Sequence, residues 1–135
     1  MEIIHNKPNK IAFSDISFAM LAHPITKDLS LNTNETAIKN SIKNLLLTKN
    51  YEKPFHPEIG SNIYGMLFEP LSPFVSNYLE AEIHSVLTRF EPRIKLSEIN
   101  VISNIDSNGY EVTISFYIVN QTTQTTITIF LEKLR

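Results

Sequence analysis

The sequence has no cysteine and only three glycines, and each shortage excludes a class of functional site. Without cysteine there is no disulfide, no thiolate zinc site and no cysteine nucleophile. Neither glycine-rich phosphate-binding pattern, G-x-G-x-x-G or G-x-x-x-x-G-K-[ST], occurs in the chain. A nucleotide site is therefore not expected, and we expect no cofactor and no small-molecule substrate.

Strong net charge and long apolar runs are also missing. The formal net charge of −2 gives no electrostatic basis for binding nucleic acid or an anionic membrane. No apolar run approaches the roughly 20 residues that span a bilayer, and the first eight residues are too polar for a secretory signal. The four histidines are scattered without metal-ligand spacing, so no metal site is expected. The length of 135 residues predicts one non-secreted domain.

The middle of the chain predicts two amphipathic helices. Asn34 is suited to cap the first, which should end near residues 48–50. Ser72 and Pro73 are suited to the cap and the first position of the second, which should end at Glu91-Pro92. Apolar residues recur at helical spacing in both segments: Ile38, Ile42, Leu45 and Leu46, then Val75, Leu79, Ile83, Val86, Leu87 and Phe90.

In the last third of the chain, apolar and polar residues alternate as they do in β-strands. Residues 94–105, 110–119 and 125–131 predict an antiparallel meander, with Asp106-Ser107-Asn108-Gly109 as a hairpin turn. One face should be buried, and in the second strand it carries Tyr110, Val112, Ile114, Phe116 and Ile118. The elements together predict an α+β fold, with both helices packed on the meander.

The N-terminal part gives weaker signals. Residues 1–12 are polar and without period, and are expected to form an arm. Two short apolar stretches between Phe13 and Leu31 flank His23-Pro24, which predicts a loose hairpin. A short helical turn is expected within residues 61–68.

Four segments, in order, resemble one protein family. The run from Asn34 to Thr48 looks like the first helix of the phage baseplate wedge proteins called gene-25-like lysozymes, which are related to the TssE component of type VI secretion. The loop from Glu52 to Gly60 resembles the family's basic-Pro-Phe-x-Pro-x-x-Gly signature. Leu67-Phe68-Glu69-Pro70 and Glu91-Pro92-Arg93 follow at the family's positions. The resemblance covers about residues 13–135, which would form the wedge domain.

The resemblance implies a structural role in a contractile tail. Family members sit in the virion's tail baseplate against the helical core bundle of the wedge, and the first sheath ring attaches to them by strand exchange. The chain would accordingly be made in the host cytoplasm, and its partners would be wedge subunits and the tail sheath protein. The wedge-binding residues implied are Glu91, Pro92, Arg93, Phe55, Pro57 and Glu69. A purely local Glu91–Arg93 pair is the alternative interpretation of that turn.

The last strand suggests where a sheath subunit would bind. Residues from Gln121 to Ile129 favour β-structure and include neither lysine nor proline, the residues that usually protect a sheet edge. An unprotected edge can accept a strand from another chain. The edge residues expected are Gln121, Thr123, Thr125, Ile127 and Ile129.

The family name raises the possibility of a peptidoglycan hydrolase, which would need two suitably spaced carboxylates. The candidates are Glu58, Glu69, Glu80, Glu82 and Glu91, and no spacing singles out a pair. We therefore expect a structural protein with no catalytic residues. The hydrolase, the secretion-system counterpart and an unrelated small binding module remain as alternatives.

Overall fold

The computed structural model describes residues 14–16 and 31–135. Contacts divide the chain into two units, residues 1–38 and 39–135. In the first unit, β1 (Ser14–Ile16) pairs antiparallel with β2 (Leu31–Thr33). The pairing joins the two ends of the predicted hairpin, whereas its turn at His23-Pro24 and the arm of residues 1–12 lie outside the described residues.

The first predicted helix is confirmed as α1 (Asn34–Leu47). It begins at Asn34, whose φ of 49° lies in the left-handed region that asparagine tolerates. The predicted apolar stripe is buried at all four positions: Ile38, Ile42, Leu45 and Leu46. Lys43 and Asn44 lie on the exposed face, so the pattern of burial follows the 3.6-residue period.

Two further helices follow in the second unit. The expected short turn of helix is α2 (Ile63–Met66), and the second long helix is α3 (Pro73–Phe90). The Ser72 hydroxyl accepts a hydrogen bond from the Val75 N–H at 3.3 Å, and Pro73 occupies the first turn. The cap predicted from sequence is thereby confirmed, because Ser72 satisfies an N–H that has no partner within the helix.

The C-terminal part is a three-stranded antiparallel sheet in the order β3-β4-β5, with β3 (Ile94–Asn104), β4 (Gly109–Ile118) and β5 (Gln124–Glu132). The register between β3 and β4 shifts between Leu96 and Glu98, which marks a β-bulge. The five residues predicted to share the buried face of β4 are all buried. α3 packs against β3, so the fold is α+β as predicted.

Two bonds near the C-terminus hold β5 in place. The Lys133 N–H donates to the Asn108 carbonyl, and the Leu134 N–H donates to the Leu67 carbonyl just after α2, both at 2.9 Å. The end of the sheet is therefore tied to the helical layer. Among the described residues, no helix is both long and apolar enough to cross a membrane.

Candidate protein-binding surfaces

The turn between α3 and β3 contains a partly buried ion pair. The Arg93 guanidinium donates to both oxygens of Glu91, from Nε at 2.6 Å and from an Nη at 2.9 Å. The Ser41 hydroxyl of α1 donates to the same carboxylate at 2.6 Å. Only 3% of the Glu91 side chain is exposed, against 24% of Arg93. The carboxylate thus joins α1 to this turn.

The charge on Glu91 is stabilised where it lies. Burial alone would raise the pKa of this carboxyl, but the hydrogen bonds from Arg93 and Ser41 and the nearby positive charge outweigh it, so the pKa is lowered. A general acid in glycoside hydrolysis needs a raised pKa. Glu91 therefore has the properties of a structural anion and lacks those of a proton donor.

The signature from Glu52 to Gly60 lies in the loop between α1 and α2, residues 48–61, which we call the signature loop. Its ends are held together by the Ser61 N–H on the Thr48 carbonyl at 2.9 Å and the Ser61 hydroxyl on the Leu46 carbonyl at 2.7 Å. Gly60 closes the loop with a φ of 155°, and a Cβ there would lie 2.7 Å from the Lys49 backbone. Only glycine fits this close approach.

The tip of this loop presents aromatic rings to solvent. Phe55 is 97% exposed and Tyr51 85%, and both have a φ of 68°. Bulky residues rarely adopt this left-handed conformation, which costs roughly 1–2 kcal/mol per residue. The bond from the Tyr51 N–H to the Pro57 carbonyl, at 2.9 Å, crosses the loop. An ordered loop therefore presents an unburied ring at its tip.

Two of the other carboxylates proposed for hydrolysis have different surroundings. Glu58 is exposed beside His56, at 3.2 Å, and hydrogen bonds from the backbone and from His56 lower its pKa. Glu82 accepts a bond from the Asn62 N–H at 2.9 Å. Neither is the desolvated acid that such chemistry uses. No cluster of three or more potential metal ligands occurs in the described part of the chain.

The outer strand β5 has an unpaired side within the described residues. In residues 31–135, β5 and β3 each pair only with β4, and α3 packs against β3. In an antiparallel pair, only every second residue of a strand bonds to its neighbour. The bond from the Lys133 N–H to the Asn108 carbonyl therefore determines which residues of β5 bond to β4 and which point away from it. The backbone groups that point away from β4 are those of Gln124, Thr126, Thr128, Phe130 and Glu132.

The residues whose backbone groups point away from β4 are not the ones expected at the edge from sequence. Gln121 and Thr123 precede β5, and the backbone groups of Thr125, Ile127 and Ile129 point toward β4. The side chains of Thr125 and Ile129 are also buried. The sheath-binding residues expected from sequence therefore stay a prediction, and the backbone groups that point away from β4 belong to the alternate residues of β5.

The predicted wedge-binding residues fall in three segments. Glu91 and Arg93 are in direct contact, with Pro92 exposed between them. Phe55 and Pro57 are exposed in the signature loop, and Glu69 is exposed just after α2. Sequence reasoning missed Ser41, whose one signal is a hydroxyl next to Ile42 on the flank of the apolar stripe.

The matching family model decides the family of the chain. The model of the baseplate wedge protein gp25 matches residues 32–124. The chain belongs to this family. The baseplate wedge protein gp25 of Enterobacteria phage T4 is 33% identical over 94 residues, which cover 70% of this chain and 71% of the T4 protein. The role of the chain is accordingly structural, in a phage tail baseplate.

Solved structures share the fold. A putative tail lysozyme from Geobacter sulfurreducens has a TM-score of 0.72 at 20% identity, covering 78% of this chain and 96% of that one. A chain of the anti-feeding prophage baseplate has a TM-score of 0.71 at 20% identity, covering 82% and 88%. A chain of the postcontracted pyocin R2 baseplate has a TM-score of 0.57 at 25% identity, covering 72% and 95%.

Proposed function

We propose that this baseplate wedge protein links the wedge of a contractile phage tail to the first ring of the sheath and nucleates sheath assembly by accepting a strand at the edge of β5. Its wedge domain is taken as residues 13–135. Within the virion its partners are the helical core bundle of the wedge on one side and the tail sheath protein on the other.

The observation that carries the sheath half of the proposal is the open edge of β5. Its outward backbone groups include those of Thr126, Thr128 and Phe130, whose side chains are all exposed. An unpaired row of N–H and C=O groups offers main-chain hydrogen bonds to a strand from another chain. The bond from Leu134 to Leu67 fixes one end of β5, so the edge is ordered before a strand is added.

The wedge half rests on the signature loop and the turn after α3. The Phe55 ring is exposed on a strained backbone, a combination that fits an aromatic anchor for a pocket on a neighbouring subunit. In the turn, Pro92 is exposed and Arg93 keeps part of its surface accessible. Because Glu91 holds the guanidinium in a fixed plane, Arg93 can contact a partner without losing much side-chain entropy.

The test of the sheath half is electron microscopy of tails assembled with Thr128→Pro. Proline removes the outward N–H of Thr128 but breaks no bond to β4, so the domain should fold and one edge bond should be lost. We expect baseplates that carry bare tubes with little extended sheath. Thr128→Val is the matched control, since it changes the side chain and keeps the N–H. Normal sheaths on Thr128→Pro tails would refute strand addition at this edge.

The test of the wedge half uses Phe55→Ala in a co-assembly assay with the other wedge subunits. Removal of a nearly fully exposed ring should leave the isolated domain as stable as before. We expect binding to weaken by about 2 kcal/mol, the usual loss for a buried aromatic anchor. Ile105→Ala, at an exposed apolar residue in the turn between β3 and β4, serves as the control. Equal binding of both variants would exclude Phe55 from the wedge interface.

A further inference from the structure

A pocket of about 370 Å³ lies between α2 and α3. Two aromatic rings, Phe74 and Tyr78, form one wall, and their centroids are 6.3 Å apart with planes tilted by 38°. The other described lining residues are Asn62, Gly65, Met66, Glu69 and Val75. The pocket therefore combines ring faces, a thioether and a carboxylate.

The rings of this pocket are more exposed than their size would favour. Phe74 is 75% exposed and Tyr78 58%, although they lie one helical turn apart on a helix whose opposite face is buried. Large rings left in water on a helix that already has a core-facing stripe mark a binding surface. Burying them against a partner would regain the apolar contact that the fold does not provide.

The charge in the pocket has one sign. Glu69 is the one carboxylate among the described lining residues, and within residues 31–135 no ion pair joins it to a lysine or arginine. Among the described residues, no basic side chain lines the pocket. Aromatic faces carry negative potential above the ring, so the rings and the carboxylate all favour a cation.

We propose that this pocket binds the side chain of an arginine from a neighbouring protein subunit. A guanidinium stacks on aromatic faces and donates two parallel bonds to one carboxylate, which a lysine ammonium cannot do. The apolar stem of the arginine would pack on Met66. Phe74 and Tyr78 would hold the guanidinium plane, and Glu69 would pair with its charge.

A hydrogen bond between the two helical segments supports the pocket without a ligand. The Asn62 N–H donates to Glu82 Oε1 at 2.9 Å, which holds the start of α2 against α3. A Cβ at Gly65 would lie 2.9 Å from the Asn62 side-chain oxygen, so a larger residue there would displace the amide. Because this bond holds the backbone of Asn62 in place, ligand binding should require little rearrangement of the start of α2.

The chemistry of the pocket stands independently of the function proposed above, but the assignment of the arginine to a neighbouring subunit rests on it. The two parts can be tested separately. Binding of a small arginine derivative by the isolated protein tests the pocket. Assembly of tails that carry pocket variants tests its use.

The first test is a titration of the ¹⁵N-labelled protein with N-acetylarginine amide, followed by backbone amide shifts. We expect saturable shifts confined to the ends of α2 and α3, with a Kd in the millimolar range that weakens with salt. N-acetyllysine amide should bind more weakly, and N-acetylcitrulline amide, which keeps the shape and loses the charge, should not bind. Equal shifts with citrulline, or shifts spread over the surface, would overturn the proposal.

Variants of the pocket complete the test. Tyr78→Ala and Glu69→Gln should each weaken arginine binding by about fivefold or more, whereas Tyr78→Phe should retain it. Phe68→Ala removes an exposed ring outside the lining and should change nothing. Undiminished binding by Tyr78→Ala would refute the stacking role. Tails of normal yield and sheath length that carry both Glu69→Gln and Tyr78→Ala would refute the subunit assignment, while leaving the strand-edge proposal untouched.

Discussion

Glu91 and Arg93 form a two-bond ion pair across Pro92, with the carboxylate buried and the guanidinium partly accessible. The sequence allowed either a local pair or a partner-binding arginine, and the local pair is present. The same carboxylate also accepts the Ser41 hydroxyl. The turn that begins the sheet is therefore joined to α1, independently of any interface that Arg93 makes.

This geometry predicts that Arg93→Ala destabilises the isolated domain. The substitution leaves a buried carboxylate without its cationic partner, and breaking such a pair from one side costs about 3 kcal/mol. Urea unfolding of the purified variant measures the loss. Arg93→Lys should recover only part of it, because lysine cannot reproduce the parallel bonds. A loss below about 0.5 kcal/mol for Arg93→Ala would mean that the pair contributes nothing to folding.

The lowered pKa of Glu91 predicts loss of stability in acid. A group whose pKa is lower in the folded than in the unfolded state stabilises the fold above its unfolded pKa, about 4.3 for glutamate, and this stabilisation disappears as the pH falls through the folded pKa. We expect the stability gap between the wild type and Glu91→Gln to be widest at neutral pH and to narrow below about pH 4. Unfolding by urea along a pH series measures it.

The matched control for this series is Glu80→Gln, at an exposed carboxylate on α3. Its curve should run parallel to that of the wild type across the acid range. A Glu91→Gln curve that is also parallel would show that another carboxylate controls acid unfolding.

Paired proline substitutions in β5 should distinguish its two backbone directions. The N–H of Ile127 points toward β4 and that of Thr128 points away. Ile127→Pro should therefore break a bond within the sheet and cost about 3 kcal/mol or more, while Thr128→Pro at the open edge should cost about 1 kcal/mol or less. Thermal unfolding of both variants gives the comparison. If Thr128→Pro were the less stable variant, the N–H of Thr128 would be the one that bonds to β4, and the assignment of bonded residues in β5 would be shifted by one.

Local sequence signals predicted most of the elements because their causes are local. Ser72 and Pro73 define the start of α3 through groups that lie within one turn, and the alternation of β4 follows from residues two apart. The contact of Ser41 with Glu91 spans 50 residues, so no local period could predict it. The free-edge residues of β5 depend on the register with β4, which strand propensity does not determine.

Gly60→Ala should be among the most damaging single changes in the signature loop. The added Cβ would lie 2.7 Å from two backbone atoms of Lys49, at a φ of 155° that L-residues rarely adopt. We expect a loss of about 3 kcal/mol from strain and displaced backbone, measured by urea unfolding. Gly65→Ala is the control, because the atom nearest its Cβ belongs to the movable side chain of Asn62. Similar losses for both would imply that the loop relaxes freely around residue 60.

At Tyr110, unlike the positions above, a substitution is expected to leave stability unchanged or to increase it. Its side chain is fully buried in β4, and its hydroxyl has no hydrogen-bond partner among the described residues. A buried hydroxyl without a partner is destabilising, so Tyr110→Phe should leave the free energy of unfolding unchanged or raise it by up to about 1 kcal/mol. Tyr117→Phe, on the half-buried outer face of the same strand, controls for the general effect of removing a hydroxyl. A loss of about 1 kcal/mol or more at Tyr110 alone would instead indicate that an enclosed water bonds the hydroxyl.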